Sequence, residues 1–214
     1  MDVLIFILEM IGSIAFAASG AMTGIQKNMD VFGVSILGLT TAVGGGVIRD
    51  LILGITPPKT FQDPIYATIA VVTSILLFFI ARRGHFKRTH SLLDLSLLIM
   101  DTLGLGAFTV TGIAAAFALS GVHNGFLLCF VGVITGVGGG ILRDILASNT
   151  PYIFVKHIYA SASLLGALVC LWLWPWAGDT WAMLAGMLVI ILLRFLSAHF
   201  RWNLPKAQEG RHAT

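Results

Sequence analysis

The chain has 214 residues, of which 57% are hydrophobic and only 11% charged, and its mean hydropathy is +0.92. A soluble domain of this size cannot bury that much apolar surface, so the composition describes a polytopic helical membrane protein. The net charge of +3 does not describe a nucleic-acid binder, because the basic residues are scattered at segment ends rather than gathered on one face. Cys129 and Cys170 lie in apolar runs without a CxxC or Cys/His cluster, so neither a disulfide framework nor a metal site is expected.

Taken in order, the N-terminal run MDVLIFILEM carries Asp2 and Glu9 and no basic region, and reads as the start of a retained span. Apolar runs over roughly 3–25, 31–55, 64–83, 92–118, 123–148, 155–175 and 180–200 are each long enough for a crossing helix of about 20 residues. Turn chemistry separates them: Lys27 to Asp30, Thr56-Pro57-Pro58, Arg82 to His85, Ser120 to Asn124, Asn149-Thr150-Pro151 and Pro175 to Asp179. The fold class is therefore an all-α membrane protein with seven transmembrane helices.

Lys and Arg orient it. The face holding loop 82–90 and the C-terminus carries Lys27, Arg82, Arg83, Lys87, Arg88, Arg143, Lys156, Arg194, Arg201, Lys206 and Arg211, against Arg49 and Lys59 on the other. Eleven against two predicts an outside N-terminus and a cytoplasmic C-terminus. Trp172, Trp174, Trp176 and Trp181 mark one interface, and Phe200 with Trp202 the other. Loop 82–90 could meet anionic lipid headgroups, although topology signalling accounts for it.

Thr41 to Pro57 reads TAVGGGVIRDLILGITP and Thr135 to Pro151 reads TGVGGGILRDILASNTP, with nine identities in 17 positions. Neither copy has the spacing of a phosphate loop or dinucleotide fingerprint. The repeat extends outward. Glu9, Gly12, Ala15, Phe16 and Gly20 match Asp101, Gly104, Ala107, Phe108 and Gly112 at an offset of 92, and a two-residue insertion restores the motif's offset of 94. Spans one to three thus resemble spans four to six. A unit with an odd number of spans must be inserted upside down the second time, which predicts an inverted 3+3 repeat plus a seventh helix. The expected division is 1–90, a first three-helix repeat with the basic cytoplasmic loop; 91–177, the inverted second; and 178–214, the seventh helix and a short polar tail.

Glycine weakens a helix by about 1 kcal/mol per position relative to alanine. The triplets Gly44, Gly45, Gly46 and Gly138, Gly139, Gly140 therefore predict kinked or broken helices at the bilayer midplane, and Ala at Gly45 or Gly139 is expected to straighten the helix in a folded protein. Matched breaks in two halves of a chain point to a transport or conduction path. Half-helix ends at a break offer carbonyls to a cation and amides to an anion, so the sign of the permeant ion stays open. Six ionisable residues fall inside spans: Glu9, Arg49, Asp50, Asp101, Arg143 and Asp144. Each needs a partner or water at about 2.5 kcal/mol or more. Matching depths predict the ion pairs Glu9–Arg49 and Asp101–Arg143. Adjacent helix positions diverge by about 100°, which leaves Asp50 and Asp144 free to face a polar path. Arg49, Asp50, Arg143 and Asp144 are the pore-lining or gating candidates. The six His stand at loops or span ends with no nucleophile–base spacing, so no catalytic residue is assigned. A secondary transporter of a small zwitterion such as glycine fits the same features.

Duplicated GGG-x-x-RD motifs, seven spans and an outside N-terminus resemble the bacterial branch of the trimeric intracellular cation channels, whose bacterial sequences also carry the label of putative glycine transporters. The resemblance covers residues 3–200. It implies a passive potassium and sodium channel of the bacterial inner membrane, a homotrimer with one pore in each subunit. That pore would lie between the repeats, along the glycine-kinked second and fifth helices, with the seventh packed on both. The implied partners are other copies of the chain, membrane lipids and permeant K+ or Na+; no cofactor and no nucleic acid are implied. The Lys-Glu-Val signature of the animal branch is absent, so that branch's lipid and calcium control is not carried over.

Overall fold

The structure is a computed structural model, and it describes residues 3–85, 90–119, 124–155, 158–200 and 202. Lys87, Arg88, Lys156, Arg201, the turn residues 120–123 and the tail from Asn203 lie outside the described residues. The described residues are helical: α1 (Val3–Gln26), α2 (Val31–Ile52), short α3 (Lys59–Gln62), α4 (Ile65–Ile80), α5 (His90–Phe117), α6 (Gly125–Leu146), short α7 (Tyr152–Val155) and α8 (Ala160–Phe200). A π-helical turn, Ala81–His85, ends α4.

The 41-residue α8 contains two crossings. Gly178 leaves helical conformation at φ 77°, ψ 169°, a region open to glycine, three residues after Pro175. The chain reverses there, because a β-carbon on Gly166 would stand 2.7 Å from the Gly186 carbonyl oxygen and one on Gly186 would stand 2.8 Å from that of Gly166. The seven spans are thus α1, α2, α4, α5, α6 and the two arms of α8. The arms pack mainly on α5 and α6, rather than on both glycine-rich helices as expected for the seventh. The Trp residues near Gly178 divide: Trp172, Trp176 and Trp181 are exposed, while Trp174 stacks on Phe117 at 4.4 Å between ring centres.

The repeat is visible in local chemistry. Asp30 Oδ1 accepts the Gly33 amide at 2.7 Å and caps α2; its mate Asn124 accepts the Phe126 amide at 2.9 Å and caps α6. At the other ends, the Ile55 amide donates to the Asp50 carbonyl and the Asn149 amide to that of Asp144, both at 2.8 Å. The residue reversing each end has positive φ, Gly54 at 72° and Ser148 at 54°. Several hydroxyls inside the spans bond back four residues, as Thr41 does to Leu37 and Thr135 to Val131, so these leave no free donor in an apolar layer.

Both glycine triplets lie within unbroken α-helix, and this corrects the expected break. The triplets serve close approach instead. A β-carbon on Gly45 would overlap the Thr135 carbonyl oxygen, and one on Gly139 that of Thr41. These four are repeat mates, so α2 and α6 cross about the local two-fold axis with backbone against backbone. Phe16 and its mate Phe108 pack beside them, with ring centres 5.3 Å apart. Both helices stay intact across three glycines while packing directly on each other there.

The crossing sets the outcome of alanine scanning. Gly45→Ala and Gly139→Ala meet immovable backbone and should each lose about 1–3 kcal/mol of stability. A β-carbon on Gly46 meets only Arg49 Nη2, at 3.9 Å, so Gly46→Ala should be neutral or gain up to about 1 kcal/mol of helix propensity. Thermal unfolding in detergent would show it; equal midpoints for Gly45→Ala and Gly46→Ala would count against the close crossing.

Candidate functional site

Each half carries one arginine cluster. In the first, Arg49 Nε donates to Asp50 Oδ1 at 2.8 Å and Nη1 lies 3.5 Å from Glu9 Oε1. The Tyr66 hydroxyl donates to Glu9 Oε2 at 2.8 Å. In the second, Arg143 Nε donates to Asp144 Oδ1 at 2.9 Å, and Nη1 donates to Asp101 Oδ1 at 2.6 Å and to Ser19 Oγ at 2.5 Å. The Tyr159 hydroxyl lies 3.4 Å from Asp101 Oδ1. Across the local axis Glu9 corresponds to Asp101, Arg49 to Arg143, Asp50 to Asp144 and Tyr66 to Tyr159.

Asp50 and Asp144 are not free to face a polar path. They are 0% and 1% exposed. Each gives one oxygen to the arginine before it, since an arginine side chain is long enough to fold back over the next residue, whatever the angle between the two Cα–Cβ bonds. The second oxygen accepts the Lys59 amide at 2.8 Å in one half and the Tyr152 amide at 2.9 Å in the other. The motif aspartate therefore fixes the guanidinium and ties down the loop after its own helix.

The halves differ in enclosure. The side chains of Glu9 and Asp101 are 16% and 1% exposed. Further groups stand around Arg143. Arg194 Nη2, from the second arm of α8, reaches Asp101 Oδ2 at 3.3 Å. The Arg194 guanidinium lies over the Tyr159 ring at 4.8 Å, and that of Arg143 over the Tyr152 ring at 5.0 Å. Tyr66, Tyr159 and Arg194 are members of these clusters that the sequence does not single out. Tyr66 and Tyr159 match at an offset of 93, but they follow the short loops where the register shifts again. Arg194 has no repeat mate and was counted only as a topology charge.

A cavity of about 530 Å³ enters from the face that carries the N-terminus. Glu9, Arg49, Lys59, Asp63 and Tyr66 line its mouth; the buried residues Ser13, Ala42, Thr111 and Phe108 line it too, and Phe108 pairs with Phe16. Of the six triplet glycines, Gly46 alone lines it. Gly44 packs on Leu142, Gly138 on Gly45 and Gly140 on Tyr159. Among the described residues no group of three or more His, Cys, Asp or Glu is placed to hold a metal ion.

An inverted seven-span bundle with a buried arginine–carboxylate cluster in each half defines a membrane protein of the transport or conduction class. The glycine transporter family model matches the chain twice, at residues 6–82 and 98–175. The UPF0126 membrane protein of Deinococcus radiodurans is 38% identical over 201 residues, which is 92% of this chain and 89% of that one. The UPF0126 inner membrane protein YadS of Escherichia coli is 37% identical over 204 residues, 94% of each chain. Among solved structures, a prokaryotic TRIC channel in 0.5 M KCl superposes with a TM-score of 0.86 at 32% identity, covering 95% of this chain and all of that one. The TRIC trimeric intracellular cation channel orthologue of Rhodobacter sphaeroides superposes with a TM-score of 0.85 at 33% identity, over 94% of this chain and 100% of that one. The chain belongs to the bacterial TRIC family, whose members carry both the UPF0126 and the glycine transporter descriptions.

Removing one partner of a buried charge pair costs about 3–5 kcal/mol. Arg143→Ala should fall in that range, and Arg49→Ala below it, because water from the cavity can solvate Glu9 once its partner is gone. The double variant Glu9→Ala/Arg49→Ala should lose less than the sum of the singles. Unfolding midpoints of the four proteins would test this, and equal losses for the two arginines would contradict the difference in enclosure.

Proposed function

We propose that the chain is a passive channel for monovalent cations, potassium and sodium. The observation that carries this reading is the cavity and its charge. Counting Asp50, which neutralises Arg49 from behind, the mouth holds three carboxylates, Glu9, Asp50 and Asp63, against two cations, Arg49 and Lys59. The formal sum of −1 favours a cation, and the lining supplies hydroxyl and carboxylate oxygens suited to a partly hydrated one. Likeness to structures described as cation channels supports the same reading. The path would follow α2 from one face to the crossing of the triplets and α6 from there to the other face, with Arg49, Arg143 and their aspartates holding its walls. Three copies would assemble in the lipid of the bacterial inner membrane, each with its own pore. The excess of Lys and Arg on the opposite face supports an outside N-terminus, and the repeat supports a division into 1–90, 91–177 and 178–214.

A second reading is favoured by the same cavity. Arg49 and Lys59 stand opposite Glu9 and Asp63, and a deep site open to one face alone is what a secondary transporter presents to a small zwitterion such as glycine.

Purified protein in planar bilayers under a KCl gradient separates the two. A channel should give discrete single-channel currents reversing near the potassium potential. Saturable glycine uptake into proteoliposomes, without such currents, would replace the channel by the transporter.

A further inference from the structure

We propose that Lys59 sets valence selectivity at the mouth of the cavity: its ammonium holds the site at one net negative charge, which accepts a monovalent cation and turns a divalent one away. This deepens the channel reading and rests on it for the path, although the binding behaviour that Lys59 dictates can be measured without any flux.

The fold tethers that ammonium. Lys59 opens the short helix α3, and its backbone amide donates to Asp50 Oδ2 at 2.8 Å, which pins the residue to the end of α2. The Gln62 side-chain amide donates to the Pro57 carbonyl at 2.5 Å and closes the same short loop. The Lys59 side chain is exposed and lines the cavity. Arg49 is committed, with Nε on Asp50 and Nη1 towards Glu9. Among the described residues the Lys59 ammonium has no ion-pair partner. Asp63 also lines the cavity and gives Oδ1 to the Ile65 amide at 3.1 Å, again outside any ion pair. Lys59 is thus the uncommitted cation at a mouth that also holds Asp63 and Glu9.

Charge counting shows what it does there. Arg49 and Asp50 cancel, which leaves Glu9 and Asp63 against Lys59. A monovalent cation brings that site to neutrality, whereas a divalent one overshoots it. Without the lysine the same carboxylates would match a divalent ion. The cavity of about 530 Å³ has the volume of a sphere about 10 Å across, no wider than the Debye length at 0.1 M salt, so its lining acts on an ion inside before salt screens it. A divalent ion feels twice the energy of a monovalent one in any given field, so one fixed ammonium discriminates chiefly by valence. Oxygen ligands are not what a divalent ion would lack. Glu9, Asp63, Thr60, Gln62 and Tyr66 all line the space, and Ca²⁺ binds through carboxylate, amide and other oxygens of this kind. The missing element is negative charge.

The filter stands at one face. In the second half the amide that holds the motif aspartate belongs to Tyr152, which is uncharged and whose ring lies against Arg143.

Calcium titration of thermal unfolding, with purified protein in detergent and KCl exchanged for CaCl2 at constant ionic strength, tests this. A bound ion raises the unfolding midpoint. Lys59→Glu should gain stability at a Ca²⁺ concentration about tenfold lower than the parent does, and Lys59→Gln at about threefold lower, the size expected from partly screened charges a few ångströms from the ion. Adding Asp63→Asn to Lys59→Glu should undo most of the gain. Arg82→Glu, an equal charge change on an exposed residue at the far end of α4, should titrate like the parent. Identical titration of the parent, Lys59→Gln and Lys59→Glu would overturn the assignment, as would an equal gain in Arg82→Glu. Should Lys59→Glu fold poorly, Lys59→Gln decides. In planar bilayers, Ca²⁺ should block potassium current through Lys59→Glu at concentrations that leave the parent unaffected. An absence of current in every variant would reject the channel, while the calcium titration would still judge Lys59.

Discussion

A guanidinium enclosed by membrane-crossing helices has to be neutralised by groups that the fold itself delivers, and here the fold is arranged around doing that twice. Among the described residues, Arg143 is the largest of the fully buried side chains. Its positive charge meets Asp144 from its own helix and Asp101 from α5, and a hydroxyl from α1 completes the set. Asp101 and Ser19 come within reach of it only when three helices pack correctly, so solvating the charge and assembling the bundle are one process. The alternative, an unpaired arginine in hydrocarbon, is costly enough to exclude most other packings. The aspartate of each motif adds a second duty, holding the amide of Lys59 or Tyr152, which bends the following loop back over the cluster.

The glycines make that convergence geometrically possible. α2 and α6 approach with backbone against backbone at Gly45 and Gly139, closer than any pair of side chains would permit. This places each arginine about one turn beyond the crossing, towards opposite faces of the membrane. The triplets therefore do not interrupt the helices. They let two intact helices share the local axis, with Phe16 and Phe108 packed beside them.

The asymmetry between the halves arises from few differences. Glu9 against Asp101, Lys59 against Tyr152, and the presence of Arg194 on the appended second arm of α8 separate an open cluster from a sealed one. The seventh span thus acts as more than a lid over the second repeat. It supplies a second arginine to Asp101 and a cation against the Tyr159 ring, both at the same end of the molecule.

Apolar run lengths, turn residues and an odd number of spans per repeat were enough to determine an inverted seven-span bundle, because a bilayer permits few ways to satisfy a backbone. Matching depths of Glu9 with Arg49 and of Asp101 with Arg143 were also legible, since unpaired charges at those depths are excluded. The local partnerships were not. Whether three glycines break a helix or admit another helix depends on what packs against them, which is a tertiary fact. The orientation of Asp50 and Asp144 was misread because directions on a helical wheel ignore the reach of an arginine side chain back over its neighbour. Which half is open could not be read from a duplicated motif at all, for the motif is the same in both; the difference lies in Tyr152, Tyr159 and Arg194, brought together from two loops and a helix only when the chain has folded.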